Sequence, residues 1–282
     1  MGSHKVTVAI PVYNGMPHIK EAVESVLNQT YEDVRLVIID DGSSDGTSAY
    51  LETLRDNPRV VLSPNPQNLG VEGAWNRALD QAADSEYFKM VCADDFIYPT
   101  AIAKEVAALD ANPDAVMTAS RRTIIDDSGK TIIKARGLAG LKGKVDGRKA
   151  VKRSVACGTN ILGEPTSVML RSSALTGLRF SAEHKLLIDF DMWAQVLQRG
   201  SVVAIREPLA VFRVGALSDS LKTISSHRHM QAGQFRKMAN DPAQQIGKVR
   251  LQVGVAMASG IAYSRKVFYK LLNVRSRITK TA

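Results

Sequence analysis

Apolar and polar positions alternate in two rhythms over the first 120 of the 282 residues. Short runs of β-branched and apolar residues at 5–10, 34–39, 59–62, 87–92 and 115–119 predict strands. Between them the apolar residues recur at helical spacing. Ile19, Ala22, Val23, Val26 and Leu27 form one such stripe, and 47–54, 70–83 and 99–109 continue the pattern. Pro99 suits the first turn of the last helix. Strand–helix alternation of this kind builds parallel strands joined by right-handed crossovers. The expected fold is therefore α/β and Rossmann-like, with a mostly parallel central sheet.

Beyond Ser120 the rhythm changes. Residues 122–125 and 130–133 flank Asp126-Asp127-Ser128-Gly129, a hairpin signal. Residues 138–147 are rich in glycine and lysine and predict a mobile loop. Strands are expected at 166–170, 202–205 and 209–213, a helix at 187–197, and a helical extension from about Ser225 to Leu272. The predicted organisation is one unit over 5–220, divided near 120 into two halves of different pattern. A basic helical extension over 221–282 follows.

Composition changes little in this picture, but charge does. Hydrophobic residues make up 45% and charged residues 23%, which is ordinary for a globular chain. The two cysteines, Cys92 and Cys157, form neither a disulfide framework nor a zinc pattern, which points to a reducing compartment. No signal peptide is visible, and no apolar run reaches the ~20 residues of a spanning helix. The net charge is +9. Residues 130–153 hold +8 of local charge and residues 228–280 hold +10, so the remainder of the chain is acidic. A basic loop and a basic tail of this kind suit an anionic partner: a membrane surface, a phosphorylated acceptor or nucleic acid.

The acids concentrate where chemistry is expected. Asp40-Asp41 and Asp94-Asp95 each follow an apolar strand, and in an open α/β sheet ligands sit beyond the carboxyl ends of the strands. Adjacent carboxylates there suit a hard divalent cation carried on substrate phosphates. Asp189 lies between Ile188 and Phe190, where desolvation raises a carboxyl pKa and makes a better base at neutral pH. Helix capping is the competing role for each of these acids.

The ordered set Val8-Ala9-Ile10-Pro11-Val12-Tyr13-Asn14, Asp40-Asp41-Gly42-Ser43-Ser44-Asp45-Gly46-Thr47, Asn68-Leu69-Gly70 with Trp75-Asn76, Ala93-Asp94-Asp95 and Asp189-Phe190-Asp191-Met192-Trp193 resembles the family-2 inverting glycosyltransferases of the A-type nucleotide-diphospho-sugar fold. The resemblance implies a nucleotide-diphospho-sugar donor, most simply a UDP-sugar, and a glycan or lipid-linked acceptor in bacterial surface-glycan synthesis. It implies that Pro11 and Tyr13 pack around the base, that Asp41 hydrogen-bonds it, and that Asn76 lies on the nucleotide side. Asp94 would sit near the ribose and Asp95 would bind Mn²⁺ or Mg²⁺ on the diphosphate. Asp189 would deprotonate the acceptor hydroxyl, with Asp191, Trp193 and Arg213 as further diphosphate or acceptor contacts. A cytoplasmic enzyme is implied, peripheral at the inner membrane face through its basic end. No nucleic-acid partner is expected, and a homo-oligomer is compatible.

Three positions depart from the family pattern: Cys92 and Ile188 stand where acids are common, and Gly215 where a histidine is common. His227 and His229 are candidates to replace the last. Two other classes fit less well: a nucleotidyltransferase of related fold, which lacks support because Pro11-Val12-Tyr13-Asn14-Gly15 is no basic phosphate loop, and a non-catalytic binding protein on the same scaffold.

Overall fold

The structure, a computed structural model, describes residues 4–184, 187–214, 224–261 and 263. Its first half follows the predicted alternation: β1 (His4–Val12), α1 (Ile19–Leu27), β2 (Val34–Asp40), α2 (Thr47–Glu52), β3 (Val60–Leu62), α3 (Gly70–Asp80) and β4 (Ser85–Met90). A short β5 (Phe96–Ile97), α4 (Ala101–Asp110), β6 (Ala115–Asp126), β7 (Thr131–Arg136), β8 (Gly143–Asp146) and α5 (Gly147–Ala156) come next. The chain continues through β9 (Val168–Arg171), α6 (Ile188–Val196), β10 (Ser201–Val214), α7 (Ile224–Asn240) and α8 (residues 248–261).

One mixed sheet runs β3-β2-β1-β4-β9-β6-β10-β5, with β7 added on β6 and β8 on β10. The β3-β2-β1-β4 half is parallel, as are β6 and β10, whereas β9 is antiparallel to both its neighbours. Alternation along the strands feeds two cores. Val6, Val8 and Ile10 face α1 and α4, while Ala9, Val37 and Ile39 face the opposite layer with α3, α5 and α6.

The second half departs from the predicted elements for identifiable reasons. Residues 138–147 are no mobile loop: Leu138 and Leu141 are buried, β8 pairs with β10, and Asp146 caps α5 by accepting the Lys149 N–H at 2.9 Å. A Cβ on Gly147 would stand 2.1 Å from the Leu197 carbonyl oxygen, so only glycine fits where α5 meets α6. The predicted strands 202–205 and 209–213 are one strand, β10, whose register shifts around Pro208. The long C-terminal helix breaks after Asn240, where Asp241 and Pro242 form a separate turn. Residues 264–282 of that extension lie outside the described residues, as does Gly215, and the side chains of His227 and His229 are not described.

Beneath the sheet Lys89 and Glu105 form a fully buried ion pair at 2.9 Å, and Lys89 also donates to the Val168 carbonyl. Burial pushes Lys89 down and Glu105 up from their ordinary pKa values, against their mutual attraction. Lys89→Met strands the carboxylate and is expected to cost about 3–5 kcal/mol in urea unfolding. The double variant Lys89→Met/Glu105→Leu is expected to regain most of that loss.

Candidate active site

Because β1, β2 and β4 are parallel, the loops leaving their carboxyl ends share one edge of the sheet. Two of these loops are fastened together. Asn14 takes a positive φ of 51° and accepts the Ser44 N–H at 2.8 Å, while the Asn14 N–H donates to Ser43 Oγ at 2.9 Å. The Gly15 and Met16 N–H groups donate to Thr47 Oγ1 and Asp45 Oδ2. Burial raises Asp45, but hydrogen bonds from Thr47 and Met16 outweigh it and hold its carboxyl below the ordinary range. Asp40 is spent on the same turn, accepting from the Ser43 N–H and, at 2.5 Å, from Ser48 Oγ.

Asp41 is different. It is buried, and its Oδ1 accepts from Asn65 Nδ2 at 2.7 Å and from the Leu69 N–H at 2.9 Å. The buried Asn65 Oδ1 has no hydrogen-bond partner among the described residues. Tyr13, which follows the β1 end paired with Asp40, is 55% exposed, whereas Pro11 is buried within β1 opposite Ile39. Asn76, expected on the nucleotide side, is committed elsewhere. Its Oδ1 accepts the Phe180 N–H at 2.9 Å and its Nδ2 donates to the Phe180 carbonyl at 3.0 Å, which clamps α3 to the segment before α6.

The Asp94-Asp95 pair divides sharply. Asp95 is 1% exposed, and its two oxygens accept from Thr166 Oγ1 at 2.9 Å and the Arg213 N–H at 3.0 Å. Burial, and then the Asp94 charge beside it, push its carboxyl well above the ordinary range. Asp94 is the exposed member. Protein crowds it enough to raise its pKa, and the nearby His18 and Arg213 act against that. Asp95, expected from the sequence to bind the cation, thus lies inside, and the carboxylate that faces outward is Asp94. Arg213, expected as a diphosphate or acceptor contact, is engaged within the protein. Its guanidinium donates to the Asp94 and Asp126 carbonyls and pairs with Glu21, so it fixes the loop that carries the two acids.

The loop before β9 supplies residues that carried no motif. Asn160 Nδ2 donates both to the Gly163 carbonyl and to Asp189 Oδ2, each at 2.9 Å. Thr166 holds the Cys92 N–H as well as Asp95. Glu164 pairs with the buried Arg122. Gly163 takes a φ of +109°, and a Cβ there would stand 2.6 Å from Ser167 Oγ. Asp189, in the first turn of α6, accepts the Phe190 N–H at 2.7 Å. Part of its surface stays open, yet protein surrounds it closely. Burial, then the Glu164 charge, raise its carboxyl to about 7, against the Phe190 and Asn160 hydrogen bonds and the Arg122 charge.

Asp191 and Trp193, expected as acceptor or diphosphate contacts, are both held by protein partners. Asp191 accepts from Gln234 Nε2 at 2.6 Å and so ties α7 to α6. Trp193 is 1% exposed, packs against Phe180 and donates to the Gly163 carbonyl at 3.0 Å, which makes it core. Lys144 pairs with Asp114, and β8 meets the first residues of β10, so the basic 142–148 segment lies at the opposite edge of the sheet from Arg213. The Cys92 thiol is raised by burial and by both neighbouring acids, so it remains protonated and unreactive.

What remains can do two things. Asp94 can hold a cation, and Asp189 can take a proton near neutral pH. Among the described residues no three His, Cys, Asp or Glu side chains gather into a metal cage. Mg²⁺ and Mn²⁺ need none when substrate phosphates complete their shell, so the exposed Asp94 fits that role.

Comparison with known proteins bears on the family and the fold. The sequence pattern of the family described as "Glycosyl transferase family 2" matches residues 7–183. An uncharacterized glycosyltransferase of Haemophilus influenzae is 25% identical over 84% of this chain and 72% of its own length. A second, from Rickettsia typhi, is 25% identical over 83% and 72%. Among solved structures, S. aureus TarS 1-349 in complex with UDP-GlcNAc superposes with a TM-score of 0.66 at 17% identity, covering 92% of this chain and 73% of that one. A mannosyltransferase of Pyrobaculum calidifontis, in complex with GDP-Man and Mn²⁺, gives 0.58 at 18% identity, covering 98% and 80%. At these identities the structural likeness speaks for the fold alone.

Proposed function

The chain belongs to glycosyl transferase family 2, and from that premise we propose that it is a metal-assisted inverting transferase. It moves a sugar from a UDP-sugar to a hydroxyl of a glycan or lipid-linked acceptor in surface-glycan synthesis. One observation carries the reading: the segment 160–166 holds Asp189 through Asn160 and the Asp94-Asp95 loop through Thr166. The proton-accepting carboxylate and the cation-facing loop are thereby fixed to one short stretch of chain. Cys92 and Ile188, though unusual, leave both groups in place.

The carboxylate of Asp41 at the strand end suits the imide N–H of a uracil, and exposed Tyr13 offers a face for its ring. The TarS complexes with UDP and UDP-GlcNAc show that a protein of this fold takes a uridine donor. A divalent cation on Asp94 would neutralise charge on the departing diphosphate. Asp189 removes the proton from the acceptor hydroxyl, whose oxygen attacks the anomeric carbon as the nucleoside diphosphate leaves. Arg213 acts through the loop that carries Asp94, and Asn160 through Asp189, so both are positioning residues.

The pH dependence follows with a defined sign. A base works only when deprotonated, and the raised carboxyl of Asp189 titrates at about 7. Transfer at saturating substrates is expected to fall about tenfold per pH unit below that point. Released UDP measured from pH 5 to 9 checks this. A rate that stays flat down to pH 5 contradicts the assignment of Asp189 as base.

A further inference from the structure

Helix α8 is attached to the body along one side only. A Cβ on Gly254 would stand 2.2 Å from the Val155 carbonyl oxygen, and one on Gly158 would stand 2.4 Å from the Ala258 nitrogen, so α8 and α5 meet backbone to backbone. Ala258 is fully buried in that seam. The other side is open and apolar. Val249, Val253 and Met257 recur at intervals of four and are 75%, 48% and 49% exposed, and Tyr263 beyond them is 72% exposed. Residues four apart line one helix face, so these side chains form a stripe.

Charge indicates what covers the stripe. After Asp241 the sequence holds no acid to its end, while Lys248, Arg250, Arg265, Lys266, Lys270, Arg275, Arg277 and Lys280 are basic. Lys248 and Arg250 are exposed on α8 itself, beside the first valine of the stripe. A second copy of the chain would set like charge against like charge. An anionic lipid surface accommodates both features. Valine and methionine enter the headgroup–acyl boundary, the cations meet the lipid phosphates, and a tyrosine is at ease at that depth.

We propose that α8 docks the chain on an anionic lipid surface. No helix among the described residues is long and apolar enough to cross a membrane, so the contact is interfacial. Its place in the fold is consistent with this role. The helix rests on α5, α5 packs on α6, and α7 grips Asp191 of α6, the helix whose first turn holds Asp189. Docking there puts the acceptor-side acid on the part of the molecule anchored at the lipid. The docking itself does not depend on the sugar-transfer reading.

The test is co-sedimentation of the full-length chain with vesicles of phosphatidylglycerol and phosphatidylcholine, and with vesicles of phosphatidylcholine alone. Binding to the anionic vesicles, little to the neutral ones, and release in about 0.5 M salt are expected. Val249→Asp/Val253→Asp is expected to weaken binding roughly tenfold or more, and Lys248→Glu/Arg250→Glu to weaken it as well. Thermal unfolding of both variants is expected to match the parent, because all four side chains are exposed. Three results would overturn the proposal: no binding to anionic vesicles, binding unaffected by the valine variant, or a stable dimer in solution that the valine variant disperses.

Discussion

Replacing Asp189 by Asn lowers sugar transfer by roughly a thousandfold while UDP binding is unchanged. The expectation rests on what the substitution removes and what it leaves. Asn has the shape of Asp and keeps an acceptor for the Phe190 N–H, which Asp189 Oδ1 now takes at 2.7 Å. It cannot take a proton. Asn160 loses one of its two acceptors but retains the Gly163 carbonyl, so the 160–163 loop stays closed. The nucleotide side at Asp41, on the β2 end, is untouched. Loss of kcat with KM for the donor unchanged, and loss of the acid limb near pH 7, are the expected signatures. A variant that turns over at the parent rate removes Asp189 from the chemistry.

The second large effect separates two neighbours. Asp94→Ala is expected to fold like the parent, to lose the enhancement of UDP binding by Mn²⁺, and to lose roughly a hundredfold or more in transfer. Asp95→Ala is expected to act first on stability. It takes the acceptor from the Thr166 hydroxyl and from the Arg213 N–H, both in buried surroundings, at about 1–3 kcal/mol. Calorimetry with UDP, with and without Mn²⁺, and urea unfolding read the two variants independently. If Asp95→Ala unfolds like the parent but binds UDP without response to metal, and Asp94→Ala stays active, the cation belongs to Asp95.

The parallel half of the sheet was legible because each strand is an apolar run bounded by turn residues, and each helix between them shows its stripe. Helix α5 was not, because Ala150, Val151 and Val155 are interleaved with Arg148, Lys149, Lys152 and Arg153, and glycines lead into it. Strand β10 reads as two because Arg206-Glu207-Pro208 interrupts its apolar pattern at a bulge. The division of roles between Asp94 and Asp95 is set by partners 71 and 118 residues away. Local pattern places both acids at the strand end and says nothing of which one turns inward. The same distance hides the commitments of Asn76, Asp191, Trp193 and Arg213. Asn160 and Glu164 lie in a loop with no recurring motif. The one available signal was an acid between Gly163 and Pro165, where an extended, fixed backbone holds a charge in place.

The reading of the site as a single-displacement transferase is tested most directly by the anomeric configuration of its product. The chain, a UDP-sugar that it consumes in the presence of Mn²⁺, and a hydroxyl acceptor are incubated together, and the new glycosidic linkage is assigned by NMR. The account predicts a configuration opposite to that of the donor. A product that retains the donor configuration contradicts it.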